Sequence, residues 1–169
     1  VAIDPAGAKD FDDAICVERL ADGGYRLGVA IADVSHFVSQ GDPIDQEALL
    51  RGTSVYIPGK TIPMLPERLS NGLCSLRPHE DRLAKIAWMD LDESGDFQEI
   101  RLEKSVIRSA QRFTYEEAQS ILDGDSAPGI DPKLIDQIQT LNHLREVLLQ
   151  RRLRQGALQL EIEEMKLVL

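Results

Sequence analysis

Four carboxylates are concentrated near the beginning of the sequence, within ten consecutive positions. They belong to Asp4, Asp10, Asp12 and Asp13, which we call the acidic cluster. Small residues at 6–8 allow a tight turn between the first aspartate and the other three. Two carboxylates about 5 Å apart repel each other by roughly 3 kcal/mol at an effective dielectric constant near 20, and a divalent cation removes that cost. Because oxygen ligands favour magnesium, manganese or calcium, the cluster predicts a metal site suited to two-metal phosphodiester hydrolysis.

Acid-rich loops also occur without a metal, because aspartate is common in turns. An EF-hand is excluded, since a calcium loop that began at Asp4 would place Lys9 at the position that requires glycine. Catalysis is favoured by the position of Asp12 and Asp13 at the start of a predicted strand, because carboxylates at the end of a strand are held rigidly.

Turn and capping signals predict the elements that must position these carboxylates. Two hairpins are expected, one around Asp22-Gly23 and one around Gly95, with strands at 12–20, 25–33, 83–92 and 97–109. Prolines break an extended stretch at 53–64. Helices are expected at 43–51, at 115–122 and from Asp131-Pro132 to about 155. The pattern predicts an α+β fold of mixed or antiparallel sheet hairpins with helices packed on them.

The overall composition limits the classes of partner. The net charge of −10 argues against a chain that grips nucleic acid alone, but not against a site whose metal brings its own positive charge. No apolar run approaches the roughly 18 residues that span a bilayer. Cys16 and Cys74 are expected to be thiols, and without a visible secretory signal we expect a cytoplasmic protein. Because the sequence begins at Val1 and ends on a strand-like Lys-Leu-Val-Leu, we expect it to be cut from a longer polypeptide.

Four separate strings resemble one known family. They run from Asp4 to Ala14, from Ile31 to Val38, from Arg51 to Pro58 and from Ile62 to Leu76. In order and spacing they are similar to the ribonuclease II and ribonuclease R family, whose catalytic part is the RNB domain. The resemblance implies that residues 1–169 are the N-terminal part of an RNB catalytic domain, truncated at both ends. It also implies that flanking oligonucleotide-binding domains belong to the parent chain.

The resemblance implies a Mg²⁺-dependent 3′-to-5′ exoribonuclease, with Mn²⁺ as an alternative metal, that degrades single-stranded RNA processively to nucleoside 5′-monophosphates. The acidic cluster would be both metal site and catalytic site. Asp4 and Asp13 would mainly coordinate metal, whereas Asp10 and Asp12 would hold a second ion, orient water or contact the 3′ end. Tyr56 matches a tyrosine that stacks on bases, and Tyr115 matches a second RNA-contacting tyrosine.

Two other functions are compatible with the sequence. One is a catalytically silent RNA- or protein-binding module derived from this domain, although all four aspartates are present. The other is a metal-dependent phosphohydrolase for DNA or a small phosphate ester. Asp33, Ser35 and His36 could suggest a hydrolase triad, but no nucleophile elbow accompanies them, so we interpret His36 as structural and Asp33 as a buttress for the cluster.

Overall fold

The computed structural model of the protein describes residues 1–57, 60–125 and 127–159, and its centre is a four-stranded antiparallel sheet. The strands, in their order across the sheet, are β2 Asp13–Arg19, β3 Tyr25–Ala32, β6 Asp81–Leu91 and β7 Phe97–Arg108. A small antiparallel pair consists of β4 Val55–Ile57 and β5 Lys60–Ile62. A second small pair, β1 Ala2–Asp4 and β8 Arg112–Thr114, is parallel.

Within the described residues, three α-helices each begin at a side-chain cap: α1 Pro43–Arg51, α2 Tyr115–Asp123 and α3 Pro132–Arg154. At α2 the Thr114 hydroxyl accepts a hydrogen bond from the Glu117 backbone N–H, and the Glu117 carboxylate accepts one from the Thr114 N–H, which completes a capping box. Among the described residues, no helix has the length and apolar character needed to cross a membrane.

Three apolar clusters join the helices to the sheet. The first lies under the acidic cluster, the second joins β8 to α2 and α3, and the third joins α3 to the far end of the sheet. Their buried centres include Leu76, Phe113 and Leu144, respectively. The sheet packs tightly at Gly28, where an added Cβ atom would lie 2.5 Å from the Trp88 ring. The acidic cluster is therefore attached to a packed core rather than to a free loop.

The structure confirms the α+β class and the predicted hairpins and helices, with small differences in their bounds. Strand β6 begins at Asp81, two residues earlier than expected, because the ladder with β7 extends to Asp81 and Arg108, whose side chains are 2.7 Å apart. The pairing of β1 with β8 was not expected from the sequence. The C-terminal Lys-Leu-Val-Leu lies outside the described residues, and the domain assignment stays a prediction.

Candidate functional site

The acidic cluster lies where β1 ends and β2 begins. Asp4 is the last residue of β1, Asp13 is the first residue of β2, and Asp10 and Asp12 lie in the loop between them. The loop is anchored beside the central sheet, because the Ala32 N–H donates to the Asp12 carbonyl over 2.9 Å. All four carboxylates therefore lie between the end of β1 and the beginning of β2, and their role as a metal site stays a prediction.

The charges of the cluster oppose one another. Burial raises the pKa of Asp4, the charges of Asp13 and Asp10 raise it further, and only Arg112 acts in the other direction. Although solvent reaches Asp12, nearby protein atoms remove part of its hydration and raise its pKa, and the other three carboxylates add to the rise. A raised pKa in the folded state means that these groups stabilise the fold only in acid. That stabilisation disappears as the pH rises through the folded pKa values, so neutral pH leaves repulsion that a cation would relieve.

The donor set fits a hard divalent cation. Asp4 has a buried carboxylate oxygen, Oδ2, without a hydrogen-bond partner, which is costly unless a cation or water satisfies it. Within the described residues, however, no three histidine, cysteine or acidic side chains converge closely enough to form a finished ligand set. The carboxylates repel one another, and a bound cation would offset that repulsion.

A cleft of about 700 Å³ opens beside the acidic cluster. Asp10, Asp12 and Tyr56 line it, together with Ser35 and Thr53. The Tyr56 hydroxyl donates to Asp10 Oδ2 over 3.1 Å, while the side chain remains 67% exposed. The structure thus places the predicted base-stacking ring next to a predicted metal ligand. Two larger grooves, on the apolar faces of the sheet, contain no residue of the cluster.

Tyr115, the second predicted RNA-contacting residue, lies at the same end of the molecule. It is the first residue of α2 and directly follows Thr114, which pairs in register with Asp4. Its side chain is 58% exposed. Tyr115 therefore follows the residue that pairs with Asp4, and its side chain is accessible to a ligand.

Ser75 was not predicted as a site residue, yet its hydroxyl anchors the acidic loop. The fully buried Ser75 Oγ accepts from the Phe11 N–H over 3.1 Å and donates to the Lys9 carbonyl over 2.8 Å. These two bonds fix the backbone on both sides of Asp10. No local sequence signal reveals the interaction, because the partners are 64 and 66 positions apart.

Replacing Ser75 with alanine is expected to loosen this loop. The change leaves a backbone donor and a backbone acceptor unpaired in the interior, which costs about 1–3 kcal/mol for each group. Hydrogen exchange at the Phe11 amide should accelerate by about tenfold or more, whereas Ser94→Ala, in the exposed β6–β7 turn, should leave it unchanged. Equal Phe11 exchange rates in the two variants would contradict the anchoring role.

Asp33 and His36 do not join the acidic cluster. The buried Asp33 carboxylate accepts from Ser35 Oγ over 2.7 Å and pairs with the ammonium groups of Lys85 and Lys104 at 3.4 and 3.9 Å. The Ser35 hydrogen bond and the two lysines hold the pKa of Asp33 below its usual value. His36 packs edge-on against Phe37, with ring centroids 5.0 Å apart. Asp33 is therefore engaged in an ion-pair network with β6 and β7, and its role as a buttress for the acidic cluster stays a prediction.

The sequence agrees with one family over its whole length. The model of the RNB domain matches residues 1–169. The chain belongs to the RNB domain family. Ribonuclease R of Thermotoga maritima is 46% identical over 170 residues, an alignment that covers 100% of this chain and 24% of that relative. Across the curated relatives that it matches, the chain spans about a fifth to a third of their length.

Solved structures of the family have the same fold. The RNase R of Mycoplasma genitalium, in complex with double-stranded RNA, superposes with a TM-score of 0.93 at 35% identity, covering 97% of this chain and 29% of that protein. Yeast Ssd1, described as a pseudonuclease, superposes with a TM-score of 0.76 at 22% identity, covering 90% of this chain and 18% of that protein. Because a ribonuclease and a pseudonuclease have this same fold, activity depends on the residues of the site rather than on the fold.

Proposed function

We propose that the protein carrying this RNB domain chain is a Mg²⁺-dependent 3′-to-5′ exoribonuclease that hydrolyses single-stranded RNA processively to nucleoside 5′-monophosphates. The observation that carries the proposal is the meeting of two features at one cleft: Asp10 and Asp12, from the group of mutually repelling carboxylates, line it, and the exposed Tyr56 ring is bonded to Asp10. A metal-dependent cut requires the first feature. Sequence-tolerant binding of an unpaired strand requires the second, because every base has a stacking face.

Each residue has a chemical role in this proposal. Asp4 and Asp13 hold the principal Mg²⁺, for which Mn²⁺ can substitute, and Asp10 and Asp12 hold a second ion, orient water or contact the 3′ end. Bound magnesium supplies Lewis acidity and lowers the pKa of the attacking water. Tyr56 stacks on a base near the 3′ end, and Tyr115 contacts the strand nearby.

The products follow from the bond that breaks. Water attacks the terminal phosphorus, the 3′ oxygen of the preceding nucleotide leaves with a proton, and the phosphate stays on the 5′ carbon of the released nucleotide. The net charge of −10 gives this chain little attraction for RNA phosphates. Flanking oligonucleotide-binding domains in the parent chain therefore supply most of the affinity for RNA. We also place the protein in the cytoplasm, where its RNA substrate is found.

The test is the degradation of a 5′-labelled single-stranded RNA by the natural full-length protein. With Mg²⁺ the label should move to progressively shorter fragments or to one short end product, chromatography should detect 5′-monophosphates, and chelator should stop both. Excess unlabelled RNA added during the reaction should not stop the degradation of labelled strands that the enzyme has already bound. A DNA strand of the same sequence should stay intact. RNA that is bound but intact under every condition would favour the catalytically silent binding module instead.

Two substitutions at Tyr56 separate the ring from its hydroxyl. Tyr56→Ala removes stacking worth about 1–3 kcal/mol per base, so the dissociation constant for single-stranded RNA should rise by roughly 5- to 100-fold. Tyr56→Phe keeps the ring and loses only the bond to Asp10, so the constant should change less than about threefold. Fluorescence anisotropy in chelator measures binding without cleavage. Equal losses in the two variants would show that the hydroxyl, rather than the ring, binds RNA.

A further inference from the structure

Arg112 contacts both sides of the acidic segment, residues 4–13, although it lies more than 100 positions away in sequence. Its backbone is held beside the segment by the parallel β1–β8 pair, in which Ala2 is the register partner of Arg112. Its guanidinium Nη2 donates to the Asp4 carbonyl over 3.4 Å and also to the Pro5 carbonyl. These bonds fix the backbone at the beginning of the segment. Asp4 is also the residue whose buried carboxylate oxygen, Oδ2, has no hydrogen-bond partner.

The same guanidinium covers the other side of the segment through Phe11. The Arg112 Cζ atom lies 5.6 Å from the centroid of the Phe11 ring, within the range of a cation–π contact. Phe11 stands between Asp10 and Asp12 in the sequence and packs against the first apolar cluster. One side chain therefore links the backbone at Asp4 to the loop that carries the remaining carboxylates.

The charge of Arg112 acts in the same place. Its positive charge attracts the Asp4 carboxylate, whereas two neighbouring carboxylates repel it. The Arg112 Nε atom is buried without a hydrogen-bond partner, as is Asp4 Oδ2. Two complementary groups with unused hydrogen-bonding capacity thus lie at the base of the cluster.

We propose that Arg112 is a positioning residue that holds the backbone of Asp4 beside the loop of Asp10 and Asp12 in the metal-free protein, so that a divalent cation has less ordering to impose when it binds. This inference rests on the proposed metal-dependent function. Without Arg112, repulsion among the carboxylates separates the two sides of the segment, and the cation must bring them together again. Part of its binding free energy is then lost to that ordering.

The charge and the positioning of Arg112 affect cation binding in opposite directions. A positive charge repels an incoming cation, so simple loss of that charge would strengthen cation binding, whereas loss of the positioning contacts weakens it. Arg112→Lys separates these effects, because lysine keeps the charge but lacks the planar guanidinium that lies over the Phe11 ring while one of its nitrogens donates to two carbonyls. The lysine variant therefore reports on positioning at constant net charge.

The experiment measures Mn²⁺ binding to the natural full-length protein without RNA, from the electron paramagnetic resonance signal of free Mn²⁺. Arg112→Lys should raise the dissociation constant about five- to tenfold. The matched control is Arg108→Lys, which changes an exposed arginine paired with Asp81 and should stay within twofold of wild type. A constant for Arg112→Lys within twofold of wild type would overturn the inference while leaving the proposed function intact.

Two further outcomes are decided by the same titration. If Arg112→Lys does not fold, Phe11→Leu removes the ring while keeping an apolar side chain, and it should raise the constant two- to fourfold. An unchanged constant for Phe11→Leu would then overturn the inference. If the wild-type protein itself binds no Mn²⁺, the metal site of the proposed function fails, and the role of Arg112 fails with it.

Discussion

Asp12→Asn is expected to lower the turnover number for single-stranded RNA by on the order of a thousandfold or more, which corresponds to about 4 kcal/mol of lost transition-state stabilisation. Asparagine has nearly the same shape as aspartate, and the Asp12 backbone stays bonded to Ala32, so the loop should keep its position. The change removes one negative charge from the cluster that we propose to hold the cations and orient the water. Single-turnover cleavage of 5′-labelled RNA at saturating Mg²⁺ measures the effect.

The matched control for this prediction is Asp81→Asn. Asp81 is exposed and pairs with Arg108, and it is not among the described residues that line the cleft. Its replacement should change turnover less than twofold.

RNA affinity in chelator should be unchanged or slightly stronger in Asp12→Asn, because a negative charge near the RNA phosphates is lost. Turnover within tenfold of wild type would remove Asp12 from the catalytic group.

The same substitution should make the metal-free protein more stable at neutral pH, although it is less active. The pKa of Asp12 is raised in the folded protein, so the ionised carboxylate at neutral pH is less favourable when folded than when unfolded. A neutral amide avoids that repulsion. Such opposite effects on activity and stability are typical of a site that stores strain for function.

Local signals explain why much of the fold follows from the sequence. Each of these signals acts within a few residues of the chain. They are the Asp22-Gly23 turn, the Thr114–Glu117 capping box and the helical spacing of apolar residues that buries Ile138 and Leu144 in α3. In the acidic cluster, Asp10, Asp12 and Asp13 lie within four positions of one another, whereas the place of Asp4 depends on the pairing of β1, because nine residues can span roughly 30 Å. The family resemblance, rather than periodicity, predicted Tyr56 as an RNA-contacting residue. In the structure its hydroxyl donates a hydrogen bond to Asp10.

Long-range contacts explain what the sequence did not predict. Strands β1 and β8 have three residues each and are separated by most of the chain, so neither shows a pattern that identifies its partner. Ser75 and Arg112 bond to backbone groups of the acidic segment, and a bond to a backbone group places no demand on the residue type of its partner. Only the folded coordinates reveal such supporting residues.

Phe113→Ala is expected to lower the free energy of unfolding by about 3–5 kcal/mol, the usual cost of removing a fully buried aromatic ring. Phe113 is 0% exposed and packs with Ala118, Ile121 and Ile138, so the cavity left behind has walls from β8, α2 and α3. Because whole domains are stable by only about 5–15 kcal/mol, the loss is a large fraction of the total. Urea denaturation in chelator, with midpoint and slope both measured, gives the value.

The variant should also affect the site, because Phe113 lies next to Arg112 on β8 and pairs in register with Ile3, the neighbour of Asp4. Loosening this strand pair separates Asp4 from the rest of the acidic cluster, so the Mg²⁺ concentration for half-maximal cleavage should rise even at temperatures where Phe113→Ala is fully folded. Phe113→Leu keeps most of the apolar volume and should cost less than about 1.5 kcal/mol, with an unchanged Mg²⁺ requirement. A destabilised Phe113→Ala that still cleaves at the wild-type Mg²⁺ concentration would show that β8 supports the fold but not the cluster.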